Sequence, residues 1–185
     1  KFTIIFLISF FLSFQISAKD RWVLDKNLST IKFELPILLM DNVEGKFLNF
    51  DGLVEIDLEN YKNNKAIFSV TLNSIEMNYK QYKDILLGDI FFNIRKFPIA
   101  LVDTKKFSFN DEKEINLEVE LTIKGFSKLV PLKLAINHLA DELIQIKGDI
   151  IFSRTDFQIG TGQWSSTVVL RDKVSIKTNL FLFKE

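Results

Sequence analysis

The sequence predicts an all-β protein, an up-and-down antiparallel sheet of eight to nine strands that closes on itself. Three observations carry this expectation. Apolar and polar residues alternate with period two through most of the chain. Turn-forming pairs separate the alternating runs. The runs are often about ten residues long, which at ~3.3 Å per residue reaches some 30 Å, and consecutive long strands remove their exposed edges by closing. No Pro/Gly/Ser-rich linker and no fixed-period repeat divides the chain, so one domain is expected over residues 19–185.

Residues 1–18 stand apart. Lys1 is followed by the apolar Ile4-Ile5-Phe6-Leu7-Ile8 and Phe10-Phe11-Leu12, and Ile16-Ser17-Ala18 ends the stretch with small residues. This pattern predicts a secretory signal peptide cleaved after Ala18. The alternative, an uncleaved anchor, is disfavoured because the apolar run falls short of the ~20 residues of a spanning helix. Export without a single cysteine fits a bacterial periplasm better than a disulfide-stapled secreted domain.

Strands are expected in order. Residues 22–25 form a first short run, followed by Ile31, Phe33 and Leu35, with a turn over 36–42. Val54, Ile56 and Leu58 make the next set, then Ala66, Phe68, Val70 and Leu72. Tyr82, Ile85 and Leu86 sit at helical spacing, so residues 79–94 are read as short helical turns interrupting the sheet. Residues 97–109 return to extended chain. The clearest alternation is Ile115, Leu117, Val119, Leu121 and Ile123 against Asn116, Glu118, Glu120, Thr122 and Lys124. Val130 to Ile136, Ile144 to Phe152 and Val174 to Leu182 complete the set. The expected turns are Asp51-Gly52, Asn63-Asn64, Asn110-Asp111, Lys124-Gly125 and Asp141-Glu142.

Composition excludes several functions. The 24 basic residues balance 24 acidic ones, which argues against a nucleic-acid binder. With no cysteine there is no thiolate metal site or thiol nucleophile, and a single histidine, His138, cannot build a multi-histidine metal site. His138 is read as a surface-loop residue. Ser29, Ser69, Ser153 and Ser165 have no base nearby in sequence. Gly160-Thr161-Gly162 lacks the lysine and the strand–helix context of a phosphate loop. Acid pairs fall in turns, although a hydrolase with two carboxylates far apart in the chain stays compatible with the sequence. The expectation is therefore a non-enzymatic protein with no metal and no obligatory cofactor.

Several motifs in order carry a likeness to a known family. The likeness rests on Trp22-Val23-Leu24-Asp25 with Ser29-Thr30-Ile31-Lys32-Phe33, and on Val43-Glu44-Gly45-Lys46-Phe47 with Phe50-Asp51-Gly52. It continues through Ser74-Ile75, Asp84, Leu86, Asp89, Phe91-Phe92 and Phe97-Pro98. Leu121-Thr122-Ile123-Lys124-Gly125-Phe126-Ser127-Lys128 resembles a family hairpin. Ser153-Arg154-Thr155-Asp156-Phe157-Gln158-Ile159-Gly160 resembles a late loop, and Asp172-Lys173-Val174-Ser175-Ile176 the final strand. In order, these cover nearly all of residues 21–183, and together they resemble the YceI-like family, lipocalin-like polyisoprenoid-binding proteins of bacterial periplasms. Two departures are Leu28 and Ile85, where members often carry histidine. The resemblance implies an extended eight-stranded antiparallel barrel with a helical insertion at 79–94. It also implies an interior for a long apolar chain: a polyisoprenoid, an isoprenoid quinone or a fatty amide. The alternatives are a solid-core structural or stress-response barrel and a quinone-handling accessory to a membrane redox enzyme. A homodimer and transient contact with a membrane or membrane enzyme stay open.

Alternation then assigns the lining. Phe33, Val54, Ile56, Phe68, Val70, Leu101, Leu117, Val119, Leu121, Leu132, Leu134, Ile146, Ile150, Phe152, Val174 and Ile176 are expected to point inward. Leu86, Phe91 and Phe92 are expected to border one mouth, the alternative being that they pack outside. Arg154 continues the inward register of Ile150 and Phe152. Either it meets a polar head group together with Trp164, or it ties the 155–164 loop to a neighbouring strand through a salt bridge to Asp156 or Asp172.

Overall fold

The computed structural model describes residues 20–58, 61–109 and 114–185. The expected leader over 1–18 and the expected turn at Asn110-Asp111 lie outside the described residues.

The strands are β1 (Asp20–Leu35), β2 (Val43–Phe47), β3 (Phe50–Ile56), β4 (Lys65–Thr71), β5 (Ile75–Met77), β6 (Ile99–Asp103), β7 (Ile115–Ile123), β8 (Phe126–Ala140), β9 (Leu143–Ser153) and β10 (Lys173–Lys184), with one helix, α1 (Lys83–Leu87). The barrel runs β1–β3–β4–β6–β7–β8–β9–β10 and closes where β10 pairs antiparallel with β1. The remaining strands, β2 and β5, extend the wall from the second half of β1.

The first two expected runs form a single strand. A bulge separates the pairs Asp25–Phe181 and Thr30–Asn179, placing extra residues on β1. The Asp25 carboxylate accepts from the Asn27 and Leu28 N–H groups, and the Ser29 hydroxyl accepts from Phe181 N–H at 2.9 Å, so the displaced backbone stays hydrogen-bonded. Before the bulge β1 pairs with β3; after it, with β2.

Lys124-Gly125 makes the β7–β8 turn, with φ of +52° and +79°, the geometry of a two-residue type I′ hairpin. Asp51-Gly52 does not turn. Both residues lie inside β3, and Gly52 faces inward opposite Phe68, whose ring occupies the place a Cβ would take. The 97–109 run is cut at Asp103. There the Thr104 hydroxyl accepts from Ala66 N–H at 2.9 Å in place of a ladder bond. A 3₁₀ turn at Lys80–Tyr82 leads directly into α1, followed by tight turns up to Pro98. His138 lies within β8, not in a loop, and is exposed near that strand's end.

The inward faces pack differently along the barrel. At the end where the chain enters, Val54 faces Trp22 and, two residues along β1, Leu24 faces Leu182, which faces Ile144, so these side chains make a stepped row across β3, β1, β10 and β9. All are buried, Trp22 at 1% exposure, and its indole N–H donates to the Ile56 carbonyl at 3.4 Å. This row is a packed floor. The opposite end is roofed by three loops: residues 36–42, the 78–98 insertion and residues 154–172.

Candidate functional site

Within the barrel lies a cavity of about 180 Å³ with an almost wholly apolar surface. Every barrel strand contributes to its wall, and the expected inward residues Phe33, Ile56, Phe68, Val70, Leu121, Leu132, Leu134, Ile146, Ile150, Phe152, Val174 and Ile176 all line it. Gly148 and Thr178, facing each other on β9 and β10, keep part of the wall thin.

Four expected positions do not line it. Leu101 points outward, 42% exposed, because β6 turns Ala100 and Val102 to the interior. The one-residue offset arises from the bends around Pro98 and Thr104, which break the long run on which the register was counted. Val54 and Val119 are fully buried, Leu117 is half-buried, and all three belong to the solid core instead of the cavity wall. Sequence reading missed Ala66, Ala100, Val102, Thr104 and Phe107 on the wall, as well as Ile31, Leu35 and Ile136. The last three share the parity of assigned neighbours and were available to the same counting.

The roof carries Leu86, Phe91 and Phe92, which line the cavity from the insertion and do not pack outside the barrel. Backbone bonds lock the roof loops together. Gly160 N–H donates to the Ile90 carbonyl at 3.0 Å, Leu38 N–H to the Val169 carbonyl at 2.9 Å, and Arg171 N–H to the Pro36 carbonyl at 3.1 Å. The buried Lys124 ammonium donates to the carbonyls of Gln158 (2.8 Å) and Ile90 (3.2 Å), bridging the insertion and the late loop. Burial pushes its pKa down, opposed by the charge of Asp89.

Arg154 is the hub of the roof. It is completely buried and borders the cavity. Its Nε donates to the Arg171 carbonyl (3.1 Å), Nη1 to those of Ile159 (2.7 Å) and Gly160 (3.1 Å), and Nη2 to those of Ser166 (3.1 Å) and Leu170 (3.0 Å). A guanidinium has five N–H donors, and each has a backbone acceptor. The loop-anchoring reading therefore describes its geometry, but with carbonyls in place of the expected salt bridge. Asp156 is exposed and is not one of the partners. Asp172 acts one step away. Its carboxylate accepts from the Thr155 hydroxyl (2.7 Å) and N–H (3.2 Å), while its carbonyl accepts from Arg154 N–H. Burial lowers the Arg154 pKa and the charge of Asp172 opposes that shift. For Asp172 itself, burial works upward, but the hydrogen bonds from Thr155 and Ser153 and the charge of Lys173 prevail and hold the carboxyl below its usual range. Trp164 is half-buried outside the cavity wall, its ring edge-on to Phe91 at 5.7 Å.

Leu28 in the β1 bulge and Ile85 on α1, the two departures from the expected family pattern, are both apolar and exposed. Among the described residues no group of three or more His, Asp or Glu side chains could hold a metal ion. What the cavity offers is an almost wholly apolar surface, suited to an aliphatic chain.

A closed antiparallel barrel with an apolar interior and a loop-built roof defines a lipocalin-like binding barrel. The YceI-like domain model matches residues 22–182, and the chain belongs to that family. Among solved structures, Burkholderia cenocepacia BcnA superposes with a TM-score of 0.79 at 23% identity, covering 85% of this chain and 98% of that one. A polyisoprenoid-binding domain from Saccharophagus degradans, implicated in plant cell wall breakdown, gives 0.71 at 14% identity, covering 91% and 100%. A Campylobacter jejuni YceI protein gives 0.72 at 22%, covering 81% and 90%. At these identities the likeness is one of fold. Among curated proteins, a UPF0312 protein of Shewanella denitrificans is 26% identical over 105 residues, 57% of this chain and 55% of that protein. The chain thus spans about half the length of the curated relatives it matches.

Proposed function

We propose that this protein is a non-enzymatic carrier that holds one long apolar lipid tail, of the polyisoprenoid, isoprenoid-quinone or fatty-amide class, inside the barrel, and that it works in the periplasm. The observation that supports this reading most directly is the cavity itself: an enclosed wall contributed by every barrel strand and almost free of polar groups. Burial of about ten methylenes at ~0.8 kcal/mol each supplies ~8 kcal/mol before association costs, which sets about micromolar as the upper limit of affinity for a tail of that length. The cavity's 180 Å³ is narrow, so a longer tail requires lining rings such as Phe33 and Phe68 to turn aside. The leader-like residues 1–18 and the absence of cysteine support the periplasmic part of the reading.

Native mass spectrometry of gently purified protein, followed by solvent extraction, tests the proposal. The expected result is a co-purified lipid with an aliphatic or prenyl tail. Protein that carries none, and that takes up neither prenyl lipids nor fatty amides on incubation, overturns it and leaves the structural-barrel alternative.

A further inference from the structure

The outer surface of the roof is apolar where folding does not require it. Leu39 is 94% exposed and has φ of +61°, a left-handed conformation that asparagine or glycine adopts more readily than leucine. Met40 beside it is also exposed. The bridge between Ile37 and Leu170, followed by the Leu38–Val169 backbone bond, sets this loop against the exposed Val168 and Val169 of the late loop. The insertion joins them: the Tyr79 hydroxyl donates to the Asp41 carbonyl at 3.3 Å, and the Asn78 side-chain amide to the Asn42 carbonyl at 2.8 Å. Scattered exposed apolar residues are ordinary, but a group at the tip of interlocked loops marks an interaction surface.

Beside this tip runs an open groove of about 720 Å³ on the outer face of β10, β1, β2 and β5. Its wall places three lysines side by side, since Lys177 pairs with Lys32 and Lys32 with Lys46. Lys80 and Lys83 add two more from the insertion. Glu34, Glu44 and Glu76 share the groove, Glu34 directly opposite Glu44 and Glu76 bound to Lys46 at 3.1 Å. Directly opposed like charges weaken a sheet, and with five lysines against three glutamates the groove keeps a positive excess that an anionic partner would neutralise. Glu34 and Glu44 flank the loop that carries Leu39, which places groove and tip next to each other.

We propose that this end of the barrel docks on an anionic lipid bilayer, with Leu39, Met40, Val168 and Val169 entering the interface and the lysine groove facing the phosphates. Apolar side chains backed by clustered lysines are the combination that binds such a surface. The orientation sets the roof, and the cavity beneath it, against the source of the lipid. The purpose of docking rests on the carrier reading, whereas docking itself is measured without reference to any bound lipid.

The chain has no cysteine, so single cysteines introduced by Leu39→Cys, Val168→Cys and, at the opposite end, Asp141→Cys can each carry an environment-sensitive fluorophore in the full chain. With vesicles of phosphatidylglycerol and phosphatidylethanolamine, labels at 39 and 168 are expected to shift to the blue and the label at 141 is not. Phosphatidylcholine vesicles or high salt should weaken the shift. Val169→Ser is expected to reduce vesicle affinity about tenfold, and Lys32→Gln with Lys177→Gln to reduce it several-fold on anionic vesicles only. No shift at 39 and 168, or an equal shift at 141, overturns the proposal. So does a shift that needs no vesicles and follows the mass of a dimer, which assigns the tip to a second copy. Lipid found in the cavity together with failed docking would leave the carrier reading standing alone.

Discussion

The two ends of the barrel are closed by different physics. The floor is a row of large apolar side chains with Trp22 at its centre, held by dispersion and burial, with only one long indole hydrogen bond. The roof is three loops held by a buried cation, Arg154, whose donors all end on backbone carbonyls, with Lys124 as a second tie. An apolar floor has no cheaper partially open form, because any gap leaves a void or admits water to apolar surface. A hydrogen-bonded roof does, since water can replace each carbonyl's partner once the loop lifts. On the proposed carrier function, the roof is therefore the end at which a ligand enters while the floor stays packed.

The contrast can be broken or sharpened by substitution, and the two tryptophans sit one at each end to report it. The largest effect is expected from Trp22→Ala, about 4 kcal/mol lost in urea unfolding. Its hydrogen-exchange protection in residues 154–172 should fall only with global stability. Arg154→Met keeps the apolar stem but orphans five carbonyls, and should cost about 3 kcal/mol, less than a closed interior would exact because the loop can hydrate. Exchange should rise first in 155–172 and leave β9 and β10 near the floor protected. Uniform loss of protection along the chain would mean that the ends are not separable. Gly148→Val brings a Cβ to 2.8 Å from the Thr178 hydroxyl and 3.4 Å from Leu132. It should cost about 1 kcal/mol in strain while sharply reducing uptake of a prenyl probe, because it thickens the wall at the cavity. The smallest effect is acidic. The Asp172 pKa lies below its unfolded value, so its contribution is complete above about pH 4 and disappears as pH falls through the lowered folded value. In a Trp22→Phe variant, Trp164 fluorescence should report roof loosening in that window before the barrel unfolds. Coincident loss of far-ultraviolet circular dichroism would count against a separate roof transition.

Most of the barrel was legible as period-two alternation because each strand has one dry face, and a dry face can be counted along the chain. Where long runs were continuous, as in β7, β9 and β10, parity assigned the inward side chains. Where a bend intervened, parity failed. Parity alone puts Leu101 inside, since the offset introduced at Pro98 and Thr104 cannot be seen in a list of apolar residues, and Asp51-Gly52 resembles a turn because a glycine beneath an aromatic ring looks the same in sequence as a glycine in a loop.

By itself, then, the sequence determined an all-β chain, the hairpin turns at Lys124-Gly125 and Asp141-Glu142, a cysteine-free and charge-balanced composition, and the inward register of its long strands, since these depend on local alternation and turn chemistry. Tertiary structure decided which inward residues pack and which enclose space. Val54 and Val119 have the same parity as Ile56 and Leu121 yet fall in solid core, because side chains meet across the barrel and not along a strand. It also decided that Arg154 binds carbonyls instead of a carboxylate: its partners lie 5 to 17 residues away, on a loop whose two ends the β9–β10 pairing holds side by side.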